Sequence, residues 1–393
     1  MIAWVIPTGW GGEPHRKEPT MSSLAHHKQR RHHDDSVFLG MDVHRDSISV
    51  GVLNPGHESA DVERIFNDEE SIRRLVGRFP ERGLLRVCYE AGPTGYDLAR
   101  LLGQMGVTCE VIAPSMIPKA PGDKVKTDTR DCRRLARLHR AGELVAIRIP
   151  SPLEEAVRDL CRTRGDMVED LTRARNRLTK FLLRHSTVWR GGSNWTVKHE
   201  AWLAAQRFDE AALQTTFEHY RAVVISRDAQ LAAVEADLKV WLARAPFAEP
   251  VRRLAAYRGV TAMGALSLQA EVCDWRRFGR AAQIMGFVGL VPTEYSSGGS
   301  TRRGHITKAG NTHLRAQLVE SAWAYQHRPY VGNEIAKRHE GLPPEVVARA
   351  WKAQLRLCGR FRHLAARKNT KSVVAAAIAR ELSGFLWAEM TTA

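Results

Sequence analysis

The chain reads as an α/β domain, then a long helical segment, then a mainly helical C-terminal region. Three observations predict this order. Short apolar strands alternate with helical stretches between residues 36 and 150, the pattern of a sheet with parallel members and helices on its faces. Apolar residues then recur at four- and three-residue steps through 167–181 and 220–241, which marks a seam on two long helices. Beyond residue 249, glycine-punctuated turns separate further helical patterns.

Taken in order, residues 1–35 carry Gly, Pro and the run His-His-Lys-Gln-Arg-Arg-His-His at 26–33, and read as a disordered N-terminal extension. Val37–Val43 is a strand, and Ser47–Leu53 alternates as its hairpin partner. Leu84–Glu90 is a buried strand stopped by Ala-Gly-Pro, a helix begins near Thr94, and Val107–Ala113 is another strand. A Pro-, Lys- and Gly-rich loop over 114–127 leads into a basic helix headed by Asp128 and Asp131. Residues 151–248 form the helical segment, an antiparallel pair or coiled coil interrupted by Arg190-Gly-Gly-Ser-Asn-Trp195. In 249–393, Arg258-Gly-Val-Thr-Ala-Met-Gly264 is a turn between two helices. It can either offer backbone N–H groups to a phosphate or simply join the helices. A glycine- and hydroxyl-rich basic stretch over 289–311 then runs into a helix from Thr312, and helical patterns occupy 343–367 and 372–387.

Length and charge narrow the function. With 393 residues the chain exceeds one ordinary core. Its 59 lysines and arginines against 43 aspartates and glutamates give a net charge of +16, spread along the chain, which favours a polyanionic partner. The six cysteines (88, 109, 132, 161, 273, 358) form no CxxC pair and have no zinc-ligand spacing. They read as thiols in a reducing compartment. No apolar run reaches the about 18 residues that a membrane helix needs. A cytoplasmic protein is expected.

Four acids stand out. Asp42 lies in a strand before a polar turn, Glu90 ends a later strand, and Asp128 and Asp131 open a helix on one face. Acids inside apolar strands are costly unless they bind something. Such oxygen ligands suit Mg²⁺ or Mn²⁺ and leave room for phosphate and water, and two ions so held stabilise phosphoryl transfer. Taken alone, Asp128 also suits a helix cap. Lys124, Lys126 and Arg130 surround the pair, and Arg173, Arg177, Lys180 and Arg184 share a helix face. Both groups read either as phosphate contacts or as a solvated surface.

These residues resemble a known family. Gly40-Met-Asp42-Val-His, Tyr89-Glu90-Ala-Gly-Pro-Thr-Gly and Lys126-Thr-Asp128-x-x-Asp131 are similar to the DEDD transposases of bacterial insertion sequences, the IS110 family. Gly289-Leu-Val-Pro, Ser296-Ser-Gly-Gly and Ile306-Thr-Lys-Ala-Gly-Asn311 resemble that family's C-terminal domain. The resemblance covers about residues 36–390. It implies a RuvC-like domain of RNase H-like fold at 36–150, a coiled-coil linker at 151–248 and a serine transposase domain with a helical tail at 249–393. The first and fourth strands would be neighbours, bringing Asp42 and Glu90 to the helix of Asp128 and Asp131. A serine nucleophile would join covalently to a DNA phosphate. Ser296 and Ser297 both qualify, and the Ser-Gly signature favours Ser297. Arg302, Arg303 and Lys308 read either as phosphate contacts or as a solvated loop. The resemblance further implies Mg²⁺ or Mn²⁺ as cofactor, donor and target DNA chosen by a bridge RNA, and homodimers that join into homotetramers with a composite site. The other readings are a RuvC-like metal-dependent junction nuclease, a site-specific DNA invertase, and a non-enzymatic nucleic-acid-binding protein.

Overall fold

The computed structural model describes residues 35–118, 127–367 and 370–392. The expected disorder of 1–35 and the candidates Lys124 and Lys126 therefore lie outside the described residues, apart from Asp35. The chain divides into two compact units, one through Ile149 and one from Pro150.

The first unit contains β1 (Val37–Val43), β2 (Ser47–Leu53), β3 (Asp61–Phe66), α1 (Glu69–Gly77), β4 (Leu85–Glu90), α2 (Asp97–Gln104), β5 (Thr108–Ile112) and α3 (Asp128–Arg140). The strand order is β3-β2-β1-β4-β5. β1, β2 and β3 are antiparallel, while β4 and β5 run parallel to β1. A mixed sheet of this order is consistent with an RNase H-like start. Alternation assigns the two faces. Leu39, Met41, Ile48, Val50, Val87 and Tyr89 pack against Ile72, Leu75 and Val76 of α1 and Leu98 and Leu102 of α2. The opposite face carries Gly40, Gly51 and Cys88 in register. There Cys88 joins Leu135 and Leu138 of α3.

The second unit begins with α4 (Pro152–Arg184), a 33-residue helix. Ser151 and Glu154 close its start as a capping box, with Pro152 in the first turn. Next come α5 (Val197–Ala205) and α6 (Ala211–Lys239). Leu171, Ala174, Leu178 and Phe181 of α4 share a core with Phe217 and Val224 of α6, so the seam read from the spacing is the packed one. Ion pairs Arg164–Glu235 and Arg175–Asp228 run in opposite order along the two helices, which makes the pair antiparallel. Arg227, which breaks the apolar pattern, faces Asp170 at 3.8 Å.

After these helices follow α7 (Ala248–Ala255), α8 (Ala262–Val272), α9 (Ala281–Phe287), the hairpin β6 (Pro292–Ser297) and β7 (Ser300–Ile306), then α10 (Thr312–Ala322), α11 (Asn333–His339), α12 (Pro344–Arg367) and α13 (Lys371–Thr391). α13 is wrapped by its neighbours, burying Val374, Ile378, Leu382 and Leu386 in one core with α7, α8, α10 and α12. Two carboxylates are buried in this unit, and both are paired. Glu389 accepts from Arg253, Arg349 and the Tyr257 hydroxyl. Glu271 accepts from Arg162 and from Asn311, the N-cap of α10. Burial pushes the Glu271 carboxyl up, but the hydrogen bonds from Arg162 and Asn311 outweigh it and hold it below the usual range. No described helix is long and apolar enough to cross a membrane.

Candidate active site

The site starts from two glycines. Gly40 of β1 and Gly51 of β2 are paired in register on the α3 face. A Cβ at Gly40 would lie 2.4 Å from both Cys132 O and Ala136 N, and one at Gly51 would lie 2.8 Å from Cys132 O. The backbone of α3 therefore rests directly on the sheet, closer than any side chain at these positions permits. This contact sets the positions of the acids. Asp42 is two residues beyond Gly40 on the same face, and Asp128 is one helical turn before Cys132.

At this junction Asp42, His44 and Asp128 come together, with one ligand atom from each lying within 4.8 Å of the others. His44 Nε2 is 3.5 Å from Asp42 Oδ2 and 3.5 Å from Asp128 Oδ2. Asp131 sits three residues on, its Oδ1 3.4 Å from the Arg134 guanidinium. Glu90 directly follows Tyr89, which is paired with Met41 in the parallel ladder. It thus ends the strand beside that of Asp42, at a spacing of about 4.8 Å between strands.

Two details differ from the sequence reading. The helix cap is Thr127, whose hydroxyl accepts from Arg130 N, so Asp128 is the first helical residue. Nor are the four acids all buried. Glu90 is exposed and the Asp128 side chain is 52% exposed, against 23% for Asp42 and 15% for Asp131. The acids are affordable because they stand at strand and helix ends that face solvent. Among the described residues the closest donor trio includes His44 and leaves out Glu90 and Asp131. His44 was missed as a ligand, although its signal was present: residues i and i+2 of a strand share a face. Two carboxylates and an imidazole, partly open to solvent, fit a divalent cation with free positions for further oxygens. Burial pushes the neighbouring Cys132 thiol up, and the Asp42 charge acts in the same direction, which keeps the thiol neutral.

Ser296 and Ser297 lie on the second unit, at the tip of the β6–β7 hairpin. Register divides the hairpin into two faces. Ser296 shares one with Glu294, Thr301 and Arg303, while Ser297 shares the other with Tyr295, Ser300 and Arg302. The Ser296 hydroxyl donates to Glu294 Oε1 at 2.8 Å, and Arg303 Nε donates to Oε2 at 3.4 Å. These two hydrogen bonds hold the Glu294 carboxyl below its usual range. Arg302, Arg303 and Lys308 are exposed.

Arg130 is exposed on the first turn of α3. Arg173, Arg177, Lys180 and Arg184 line an exposed strip of α4, where Arg173 already pairs with Glu169. The 258–264 turn is partly buried, with Thr261 exposed. Thr261 Oγ1 accepts from Gly264 N, and a Cβ at Gly259, whose φ is +81°, would meet Ser321 O at 2.1 Å.

Two family models match this chain. Residues 39–186 match the transposase model named for the DEDD domain of IS110 elements, and residues 251–336 match the transposases of the IS116/IS110/IS902 family. The transposase for insertion sequence element IS1533 of Leptospira borgpetersenii is 36% identical over 336 residues, covering 84% of this chain and 96% of the relative. The chain belongs to the IS110 family of transposases. Identity to y4qE of Sinorhizobium fredii, itself named only provisionally as a transposase, is 40% over 360 residues, covering 90% of this chain and 88% of y4qE. The transposase for IS1111A of Coxiella burnetii is 25% identical over 300 residues, covering 76% of this chain and 80% of the relative. As an IS110-family transposase the protein is an enzyme that cuts and joins DNA, and the family's DEDD motif calls for a divalent metal.

Proposed function

We propose that this transposase moves an insertion sequence by transesterification, using a serine on the hairpin and a metal-binding carboxylate site, with donor and target DNA selected by a bridge RNA. The observation that carries the metal part is the convergence of Asp42, His44 and Asp128 at the end of a sheet in a chain of net charge +16. Asp42, Glu90, Asp128 and Asp131 would hold Mg²⁺ or Mn²⁺. Such an ion, when bound, neutralises charge on a phosphate and assists ionisation of a hydroxyl.

In this reading Ser297 Oγ attacks a DNA phosphorus. An Oγ–P bond forms, a P–O bond of the backbone breaks, and the departing deoxyribose oxygen takes up a proton. A second hydroxyl reverses the step and joins a new strand. One phosphodiester replaces another throughout, so no nucleotide needs to be hydrolysed. Ser297 is favoured over Ser296 because its face of the hairpin carries Arg302 and no carboxylate, whereas Ser296 shares its face with Glu294. A phosphate approaches the first face without like-charge repulsion.

The domain roles follow the sequence reading: a RuvC-like domain at 36–150, a coiled-coil or helical linker at 151–248 and a serine transposase domain with a helical tail at 249–393. Serine and carboxylates would meet in a composite site built from different subunits of a dimer that pairs into a tetramer. Lys124, Lys126, Arg130, Arg173, Arg177, Lys180, Arg184, Arg302, Arg303 and Lys308 would neutralise nucleic-acid phosphates. Each such contact contributes a salt slope of about −0.9 on duplex DNA.

The serine assignment is tested with Ser297→Ala and Ser296→Ala, made singly and together. Ser297→Ala is expected to abolish the covalent protein–DNA adduct on a denaturing gel and to lower strand joining by about a thousandfold or more. Ser296→Ala should stay within about tenfold of wild type. Recombination by the double variant would overturn the serine mechanism and favour a nuclease that uses water. The metal site is tested by calorimetric titration of Mg²⁺ into wild type and Asp42→Ala. Heat of binding is expected in the first and not in the second; its absence from both would overturn the carboxylate metal site.

A further inference from the structure

We infer that His44 is a direct ligand of the metal ion, so that the site is a mixed nitrogen–oxygen centre that selects Mn²⁺ over Mg²⁺. This rests on the proposed carboxylate site and goes beyond it by naming a ligand and choosing between the two ions.

Three features carry the inference. The first is position. His44 follows Asp42 by two residues, and its Nε2 is equidistant, at 3.5 Å, from Oδ2 of Asp42 and Oδ2 of Asp128. A good N–H···O bond spans about 2.7–3.2 Å, and one ring N–H cannot serve two carboxylates well at a longer distance. Neighbouring ligands about 2.1 Å from a shared ion, by contrast, stand roughly 3–3.5 Å apart. The spacing of His44 from each of the two aspartates is that of neighbouring ligands rather than of a hydrogen-bonded pair.

The second feature is the support behind the ring. The His44 amide donates to Ser47 O at 2.9 Å, and Asn67 Nδ2 donates to His44 O at 2.8 Å. Asn67 also donates its own amide to Asp46 O at 3.2 Å. The β1–β2 turn is thereby pinned from both sides, so His44 is presented from a fixed backbone. Preorganised ligands bind metals more tightly than ligands that must be ordered on binding.

The third feature is access. The His44 side chain is 51% exposed and that of Asp128 is 52% exposed. Positions on the ion therefore remain open to water and to a phosphate oxygen. Mg²⁺ prefers oxygen ligands and keeps its waters, whereas Mn²⁺, a first-row transition ion that is also served by carboxylates, tolerates one imidazole among them better than Mg²⁺ does.

The probe is Mn²⁺ alone, titrated into the full-length protein and followed by pulsed electron paramagnetic resonance, which reports directly coordinated ¹⁴N. The variants are His44→Ala and Asp42→Asn. Wild type is expected to show one nitrogen coupled to the bound ion. His44→Ala should lose that coupling and bind Mn²⁺ about tenfold or more weakly, with a smaller change for Mg²⁺. Bound Mn²⁺ without coordinated nitrogen, or nitrogen coupling that persists in His44→Ala, overturns the assignment and leaves the carboxylate site standing. Undiminished Mn²⁺ binding by Asp42→Asn overturns both. Circular dichroism checks that the variants are folded, since His44 lies at an exposed strand end where substitution leaves the core intact.

Discussion

Gly40→Val is expected to cost the first unit about 3 kcal/mol of stability or more and to lower strand cleavage at least about a hundredfold. The reason is backbone proximity. A Cβ alone would sit 2.4 Å from Cys132 O and Ala136 N. Neither atom belongs to a side chain that can rotate away, so α3 must lift from the sheet. Asp128 would move with it, while Asp42 stays on β1, and the ligand set would open. Chemical denaturation followed by circular dichroism reads the first effect, and a cleavage assay with labelled DNA reads the second. Normal cleavage by a folded Gly40→Val protein would show that the site does not depend on this helix–sheet contact. Gly56 is the control: a Cβ there meets nothing within 4 Å, although its φ of +75° makes substitution mildly strained.

Glu389→Ala is the second large effect, expected to destabilise the second unit by about 3–5 kcal/mol, a fall on the order of 10 °C in melting temperature. The Glu389 side chain is 0% exposed and accepts from Arg253, Arg349 and Tyr257. Removing it leaves the guanidinium groups of Arg253 and Arg349, the second of them partly exposed, facing each other without a carboxylate. Burial pushes the Glu389 carboxyl up, but the hydrogen bonds and charges of Arg349 and Arg253 outweigh it and hold the group below its ordinary value. A depressed carboxylate stabilises the fold above the unfolded value of about 4.3 and ceases to do so as pH falls through the folded one. The stability gap between wild type and Glu389→Gln should therefore be full at pH 7 and close below about pH 4. A gap independent of pH would mean that Glu389 is not ionised in the folded protein.

The parts of the fold that announce themselves in sequence are those where burial imposes a pattern. β1, β2 and β4 read as near-continuous apolar runs because both of their faces are covered, and α4 and α6 keep an apolar seam because each buries the other. β3 was not read, since Asp61-Val-Glu-Arg-Ile-Phe66 is an edge strand with no fully buried residue. The β6–β7 hairpin gave no periodic signal either, because neither of its faces packs on the core. Its serines became visible only through resemblance to a family. Asp42, Glu90, Asp128 and Asp131 were legible as acids at element ends. His44 was not, because a polar residue in a strand-ending turn needs no explanation until Asp128 is seen beside it. The buried partners of Glu271 and Glu389 were likewise unreadable, since Arg162 and Arg253 lie far away in the chain.

The hairpin that carries the serines is also a mechanical object. Its foot is held largely by main-chain hydrogen bonds. Lys308 N donates to Gly289 O, Thr307 N to Val291 O and Asn311 N to Phe287 O. Gly289 and Gly310 lie so close to the opposing strand that a Cβ on either would meet a carbonyl oxygen at 2.1 Å. Above that foot the ribbon is bare. Six extended residues reach about 20 Å, so rocking by about 10° at the foot carries the tip roughly 3 Å, more than a hydroxyl travels from van der Waals contact with a phosphorus to a bond. The ribbon acts as a cantilever: strand exchange would need only a small tilt at its hinge, with no unfolding of the serine's own surroundings.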